Sequence, residues 1–389
     1  MKIDLFHFKL LLKYTYHSIL YFVSFLYSSF LSKKDIYLIS ERGTDARDNG
    51  LYFFCYLKRN YPEKEVYYII SKDSVDLKNL SLYNDSIISY QSFRHYVLMW
   101  RSKYLISTHL HGFAPDSFLS RLFTRYFDIY RKKITISLKH GITKDFLPVL
   151  KYEKTKLDLV ICGAKPEYDY LVNTYGYPIN NIQYTGFCRF DGLYDFKIKR
   201  QILVMPTWRY WLNKDNFLNS YYYEKYNLLL SNCDLISFLN ESNVKLVFYP
   251  HYEIQPFLDN FKKFSCDSII IASKADYDVQ ELLKESMLLV TDYSSVFFDF
   301  AYMLKPVIFY QFDKDQYRAK HYSKGYFDYN HSFGPVTEDV NSLIHFLKLS
   351  RDAGWVMKDE YVRITNEYFP LHDQRNCERV YNCINNIKK

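Results

Sequence analysis

Residues 290–313 read VTDYSSVFFDFAYMLKPVIFYQFD: the end of one apolar run, four mostly polar residues, a stretch of helical spacing and a second apolar run. Two buried strands joined through a helix form the unit of a parallel sheet, since parallel neighbours need a crossover to run the same way. Open parallel sheets bind ligands in the crevice beyond the carboxyl ends of their strands. Asp292, Tyr293, Ser294 and Ser295 fall at such an end. Asp292 or Ser294 is placed to cap the helix, the free N–H groups of its first turn face an anion, and Ser294 and Ser295 add hydroxyl donors. Asp299 follows one turn later. The same letters also suit an ordinary helix cap with no ligand.

The pattern repeats along the chain. Apolar runs at 35–40, 65–70, 104–108, 133–138, 157–162 and 182–186 predict strands, and 49–61 predicts a helix stopped by Pro62. A polar, basic segment at 187–201 reads as a crossover, after which strands are expected at 202–206, 244–250, 268–273, 287–291 and 306–312. Helical patterns separate them near 224–241, 276–286 and 295–304. The fold class expected is therefore α/β, with two successive Rossmann-like domains at 35–195 and 196–356, within the reach of 389 residues. Helical spacing in 357–389 predicts a terminal segment packing back across both domains.

Composition narrows the function classes. With 48% hydrophobic and 24% charged residues the chain is expected to be folded rather than disordered. The formal charge of +8, with clusters at Lys33-Lys34, Arg101/Lys103 and Arg131-Lys132-Lys133, suits an anionic partner, although any one cluster equally suits a solvated face. No nucleic-acid-binding signature accompanies it. Seven cysteines without a CxxC pair read as reduced thiols and no zinc site. Residues 1–34 contain an aromatic-rich, uncharged stretch at 14–32, flanked by Lys2, Lys9 and Lys13 before it and Lys33-Lys34 after it. It lacks a signal-peptide cleavage site and is interrupted by polar residues, which predicts an amphipathic helix lying on an anionic membrane surface; a helix packed on the protein's own domain is the alternative.

The loops after the strands carry chemistry: KHGITKD at 139–145, GFCRFD at 186–191, PTWR at 206–209, PHYE at 250–253 and the DYSS segment. Together with ERGTDARDNG at 41–50, TGFCRFD at 185–191, ILVMPTWR at 202–209, YPH at 249–251 and the stretch 291–313, these motifs resemble the CDP-glycerol glycerophosphotransferase family, the teichoic acid primases and polymerases. The resemblance spans about residues 35 to 330, in the family's order. It implies a glycosyltransferase-B type fold, peripheral attachment to the cytoplasmic face of the bacterial cell membrane, and transfer of an alditol phosphate from a CDP-alditol to a lipid-linked or polymeric acceptor. Glycerol and ribitol donors are not distinguished by these motifs.

Carried over by position, the resemblance implies catalytic roles for His140 and His251. It implies donor binding by Gly141, Ile142, Thr143, Lys144, Arg189, Pro206, Thr207, Arg209, Ser294, Ser295 and Asp299. Polymerases of the family carry Trp-His-Gly-Thr-Pro where this chain has Lys-His-Gly-Ile-Thr, a difference bearing on acceptor preference. An imidazole with a pKa near 6.5 can accept the acceptor hydroxyl's proton, and a second can assist departure of CMP. The polar loop Asp45, Arg47, Asp48 and Asn49 is the expected acceptor contact. Without an Asp-x-Asp pair in a suitable loop, no divalent cation or other cofactor is expected. Two other readings stay open on sequence: a nucleotide-sugar glycosyltransferase of the same architecture, and a non-catalytic membrane-surface module that binds polyanions.

Overall fold

A computed structural model describes residues 5–32 and 34–387, so Lys2, Lys33 and the ends of the first and last expected segments lie outside the described residues. Two all-parallel sheets organise the chain. The first holds β1 (Lys34–Ser40), β2 (Val66–Ile70), β3 (Ile87–Ser89), β4 (Ser102–Ser107), β5 (Ile134–Ser137), β6 (Leu159–Cys162) and β7 (Ile182–Tyr184), in the order β3-β2-β1-β4-β5-β6-β7. The second holds β8 (Gln201–Met205), β9 (Lys245–Phe248), β10 (Ile269–Ile271), β11 (Leu288–Thr291), β12 (Val307–Tyr310) and β13 (Val336–Thr337), in the order β10-β9-β8-β11-β12-β13. β5, β6, β11 and β12 are buried at every position; β6, β11 and β12 accordingly read as near-continuous apolar runs, while β5 (ITIS) alternates with small hydroxyl residues that are buried as well. In both sheets the strand order reverses beside the first strand, between β1 and β4 and between β8 and β11.

Several elements differ from the sequence expectation. β3 and β13, of three and two residues, are too short to show a period and sit at sheet edges. The helix expected over 224–241 is two, Tyr221–Leu230 and Cys233–Glu241; Asn232 starts the second by accepting from the Leu235 N–H at 2.9 Å. The helix Leu5–Ser29 docks one face on the first half. Tyr21 meets Tyr96 and Phe123 edge to face at 5.2 Å each, and the Trp100 indole donates to the Tyr21 carbonyl and the Ser24 hydroxyl at 3.1 Å. His17 bonds Tyr96. These inward residues include polar ones, while Leu11, Leu12, Ile19, Phe22 and Phe30 face outward and are exposed. The helix is thus apolar on its outer side, where an amphipathic helix on its own domain would be polar. Among the described residues no helix is long and apolar enough to cross a membrane.

The two halves meet over a continuous apolar cluster that includes Phe190, Phe298, Tyr302 and Phe369. The terminal helix Asn376–Asn385 belongs to the first half, where the Asp191 carboxylate accepts from the Asn376 and Cys377 N–H groups at 2.9 and 2.8 Å and Tyr381 stacks on Tyr61. Ion pairs also cross the seam: Arg189 with Asp299 at 2.7 Å, Arg318 with Asp145 at 2.5 Å and Arg47 with Asp278 at 3.5 Å. Backbones touch there as well. Phe146 N–H donates to the Ser323 carbonyl at 3.1 Å, and a Cβ on Gly325 would lie 2.2 Å from the Lys144 carbonyl oxygen.

Candidate active site

The strand-order reversals place the loops after β1 and β4 against those after β8 and β11. Two cavities open there. One, of about 400 Å³, is lined by the 139–145 loop, Thr207, Trp208, His251, Ser294, Ser295 and His321. The other, of about 710 Å³, is lined by Arg42, Asp45, Arg47, Asp48, Tyr249, Lys274 and Asp299. His109, His140 and Ser295 border both.

The loop bearing His140 is braced from beneath. Lys139 turns the chain with a left-handed φ of 53°, and its carbonyl accepts from the Asn49 amide at 2.7 Å. Glu167, fully buried, accepts from the Thr143 and Gly163 N–H groups at 2.5 and 2.8 Å and pairs with the Lys139 ammonium. His140 is presented to the cleft with one ring nitrogen bonded to the Thr108 backbone, which leaves the other as an acceptor. His140 remains exposed on its cleft side, while the protein packed against the rest of the ring disfavours its charged form and holds its pKa below the ordinary value; Lys139, Arg189 and Arg42 reinforce this and the Thr108 bond opposes it.

From the opposite half, His251 Nδ1 accepts the Glu253 N–H at 3.2 Å, so in the neutral ring the proton sits on Nε2. Its pKa is lowered to about 4 by burial, with Asp292 opposing and Arg42 adding to the shift. His321 repeats the arrangement. Its Nδ1 accepts the Tyr210 N–H at 3.2 Å, while its buried Nε2 has no partner. Trp208, Tyr210, Tyr317 and Tyr322 pack around its ring.

Ser295 opens the helix Val296–Tyr302 without a side-chain cap, so neither Asp292 nor Ser294 takes the capping role expected of them. Asp292 instead accepts from the Thr207 and Tyr293 N–H groups at 2.8 and 2.6 Å and pairs with Arg209 at 2.9 Å, locking the β8 loop to the β11 loop. Ser294 and Ser295 line the first cavity, and Ser295 Oγ would lie 2.9 Å from a Cβ on Gly141. The Thr207 hydroxyl, in the same wall, is buried without a partner. Pro206 is buried at the strand end before it.

The two arginines are placed otherwise than the sequence suggests. Arg209 is wholly buried, and its donors are taken by Asp313, Asp292 and the Thr207 and Trp208 carbonyls, which leaves none for a phosphate. Arg189 is committed to both oxygens of Asp299, to Asp48 and to the His140 carbonyl. Arg189 and Asp299 therefore clamp the two halves. Asp48 serves that clamp, and Asn49, fully buried, joins the Lys139 carbonyl to the Arg189 N–H instead of facing a ligand. Arg47 is held by Asp76 and Asp278, and Asp45 by Arg42 at 2.6 Å. Ile142 is buried in the core, Thr143 is tied to Glu167, and Lys144 pairs with Asp145 while lining the first cavity. The stretch THLHG after β4 was the available signal for His109, and Arg42 lay within the polar loop already marked. Glu167, in a helix's first turn, left no such signal.

The model of the CDP-glycerol:poly(glycerophosphate) glycerophosphotransferase family matches residues 19–386. The chain belongs to this family. It is 35% identical over 316 residues to the minor teichoic acid biosynthesis protein GgaB of Bacillus subtilis (strain 168), covering 77% of this chain and 34% of that protein. It is 30% identical over 194 residues to the teichoic acid glycerol-phosphate transferase of Staphylococcus aureus (strain NCTC 8325 / PS 47), covering 47% of this chain and 45% of that one. The chain thus matches about a third of GgaB. The structure of the wall teichoic acid polymerase TagF superposes with a TM-score of 0.67 at 17% identity, covering 99% of this chain and 98% of that chain, so the glycerophosphotransferase family member shares its two-domain, glycosyltransferase-B type α/β fold.

Proposed function

We propose that the chain transfers glycerol phosphate from CDP-glycerol to a hydroxyl of a lipid-linked or polymeric polyol-phosphate or glycan acceptor, releasing CMP, in teichoic acid or capsule-type polymer synthesis. The observation that carries this reading is a pair of histidines facing one cavity from opposite halves: His140 with a free acceptor nitrogen and His251 with a proton on Nε2. The acceptor oxygen attacks the β-phosphorus, the bond from that phosphorus to the bridging oxygen breaks, and the acceptor's proton passes to His140. His251 donates to a diphosphate oxygen as charge builds on departing CMP. Ser294, Ser295 and the unpartnered Thr207 hydroxyl supply further donors, with Lys144 as the cation of the wall. No cofactor takes part in this scheme.

In this reading 196–356 is the donor side and 35–195 the acceptor side. The second cavity, with Arg42, Asp45 and Lys274 at its wall, takes the acceptor, while Arg189 and Asp299 hold the halves in register. The outward row of the helix Leu5–Ser29 continues onto exposed Phe118, Leu122, Tyr126 and Phe127, with Lys9, Lys13, Arg121 and Arg125 nearby in sequence. That combination supports peripheral attachment to an anionic membrane, on the cytoplasmic face where a nucleotide donor is available.

The test is CMP release from CDP-glycerol, with CDP-ribitol and a UDP-sugar run in parallel on membrane-extracted acceptor. Release from a CDP-alditol, lowered about 10²- to 10⁴-fold in His140→Ala, is the expected result. Turnover of the UDP-sugar alone would establish a glycosyltransferase instead.

A further inference from the structure

His109 follows β4 and His140 follows β5, adjacent strands of the first sheet, so the turns beyond them lie side by side. The two rings are 4.4 Å apart between centroids and within 9° of parallel. The turn bearing His109 is fixed. Ser107 Oγ donates to the His109 carbonyl at 2.6 Å, the Gly112 N–H donates to the same carbonyl at 3.0 Å, and Thr108 Oγ1 lies 2.9 Å from His109 Nδ1. Gly112 permits that turn, since a Cβ there would lie 2.0 Å from the Glu41 carbonyl oxygen.

We propose that His109 is the positioning residue of this centre: its ring covers one face of His140, keeps water from that face, and holds the ring turned toward the boundary of the two cavities. The proposal rests on the reading of His140 as the proton acceptor. Loss of water around a ring disfavours its charged form, and two imidazoles in face contact cannot both carry charge without strong repulsion. His109 is itself held well below the ordinary histidine value by burial, then by His140 and Arg42, so it acts as a neutral cover. The charged and titratable groups lining the two cavities beside the pair are Glu41, Arg42, Asp45, Arg47 and Asp48 at the end of β1 and in the loop after it, Lys139, Lys144 and Asp145 from the loop after β5, Arg189, His251, Lys274 after β10, Asp299 in the helix after β11, and His321.

The experiment is the pH profile of kcat/KM for CMP release from CDP-glycerol by the wild type, His109→Ala and His109→Leu, with a ¹⁵N-histidine titration of the His140 resonance in each. Uncovering the ring lets a proton bind at higher pH. His109→Ala should therefore move both the acid limb and the His140 titration upward by about one pH unit or more, and the leucine cover should return both toward wild type. A uniform loss of rate in His109→Ala, with limb and titration unmoved, would overturn the proposal and leave the His140 reading intact. Wild-type CMP release by His140→Ala would overturn that reading and this proposal with it, a result that involves no change at position 109.

Discussion

Arg209 shows how far a residue's type is from its employment. In sequence it stands two residues past Thr207 at a strand end, where a guanidinium looks free for phosphate; in the fold it is enclosed by Asp292 and Asp313, with its plane about 5 Å from the rings of Tyr222, Tyr293 and Tyr317. Partners more than 80 residues away, one of them 104, cannot be read from a local motif. Arg209→Met leaves two buried carboxylates without a cation and is expected to destabilise the fold by about 3–5 kcal/mol, read from urea unfolding. An arginine that bound donor phosphate would instead raise KM with the unfolding midpoint unchanged. The positions of the two histidines at the cleft were legible for the opposite reason. His140 and His251 each sit in the first residues after a strand, and strand ends are set by local apolar runs.

At the scale of elements, the strands of both sheets were legible because burial on both faces forces apolar runs, whereas β3 and β13 are edge pairings chosen by tertiary register. What supports the His140 loop was not legible. Glu167 comes from the helix Lys165–Thr174, and a buried glutamate in a helix's first turn looks in sequence like a favourable dipole contact at the surface. Glu167→Gln removes the counter-charge of Lys139 and frees the loop. It should lower kcat by up to about 100-fold, because a displacement near 1 Å suffices for that, while KM for CDP-glycerol changes much less. A loss confined to KM would show that the loop's position is not what Glu167 secures.

For the whole molecule, the helix Leu5–Ser29 was legible as a helix but not as a surface: two of its polar residues, His17 and Ser24, are buried against Tyr96 and Trp100, whereas Lys13, Thr15 and Ser29 stay exposed. Sequence gives the sum of a helix's residues; which side faces the domain is decided by the groove it meets. Serine substitution of Ile19, Phe22 and Phe30, all exposed, should release the chain from vesicles containing anionic lipid in a flotation assay without moving the unfolding midpoint. Retained flotation would place attachment elsewhere.

The seam itself depends on atoms that are missing. Because Gly325 lies against the Lys144 carbonyl, the halves close to a distance that one methyl group would forbid, and backbone, unlike a side chain, cannot swing away. Hydrogen at that position works as the spacer of a hinge, set to its narrowest gauge beside the first cavity. Gly325→Ala should act as a shim: a larger radius of gyration in solution scattering and weaker retention of CDP-glycerol, with both sheets still folded. An unchanged scattering profile would mean that the joint yields elsewhere.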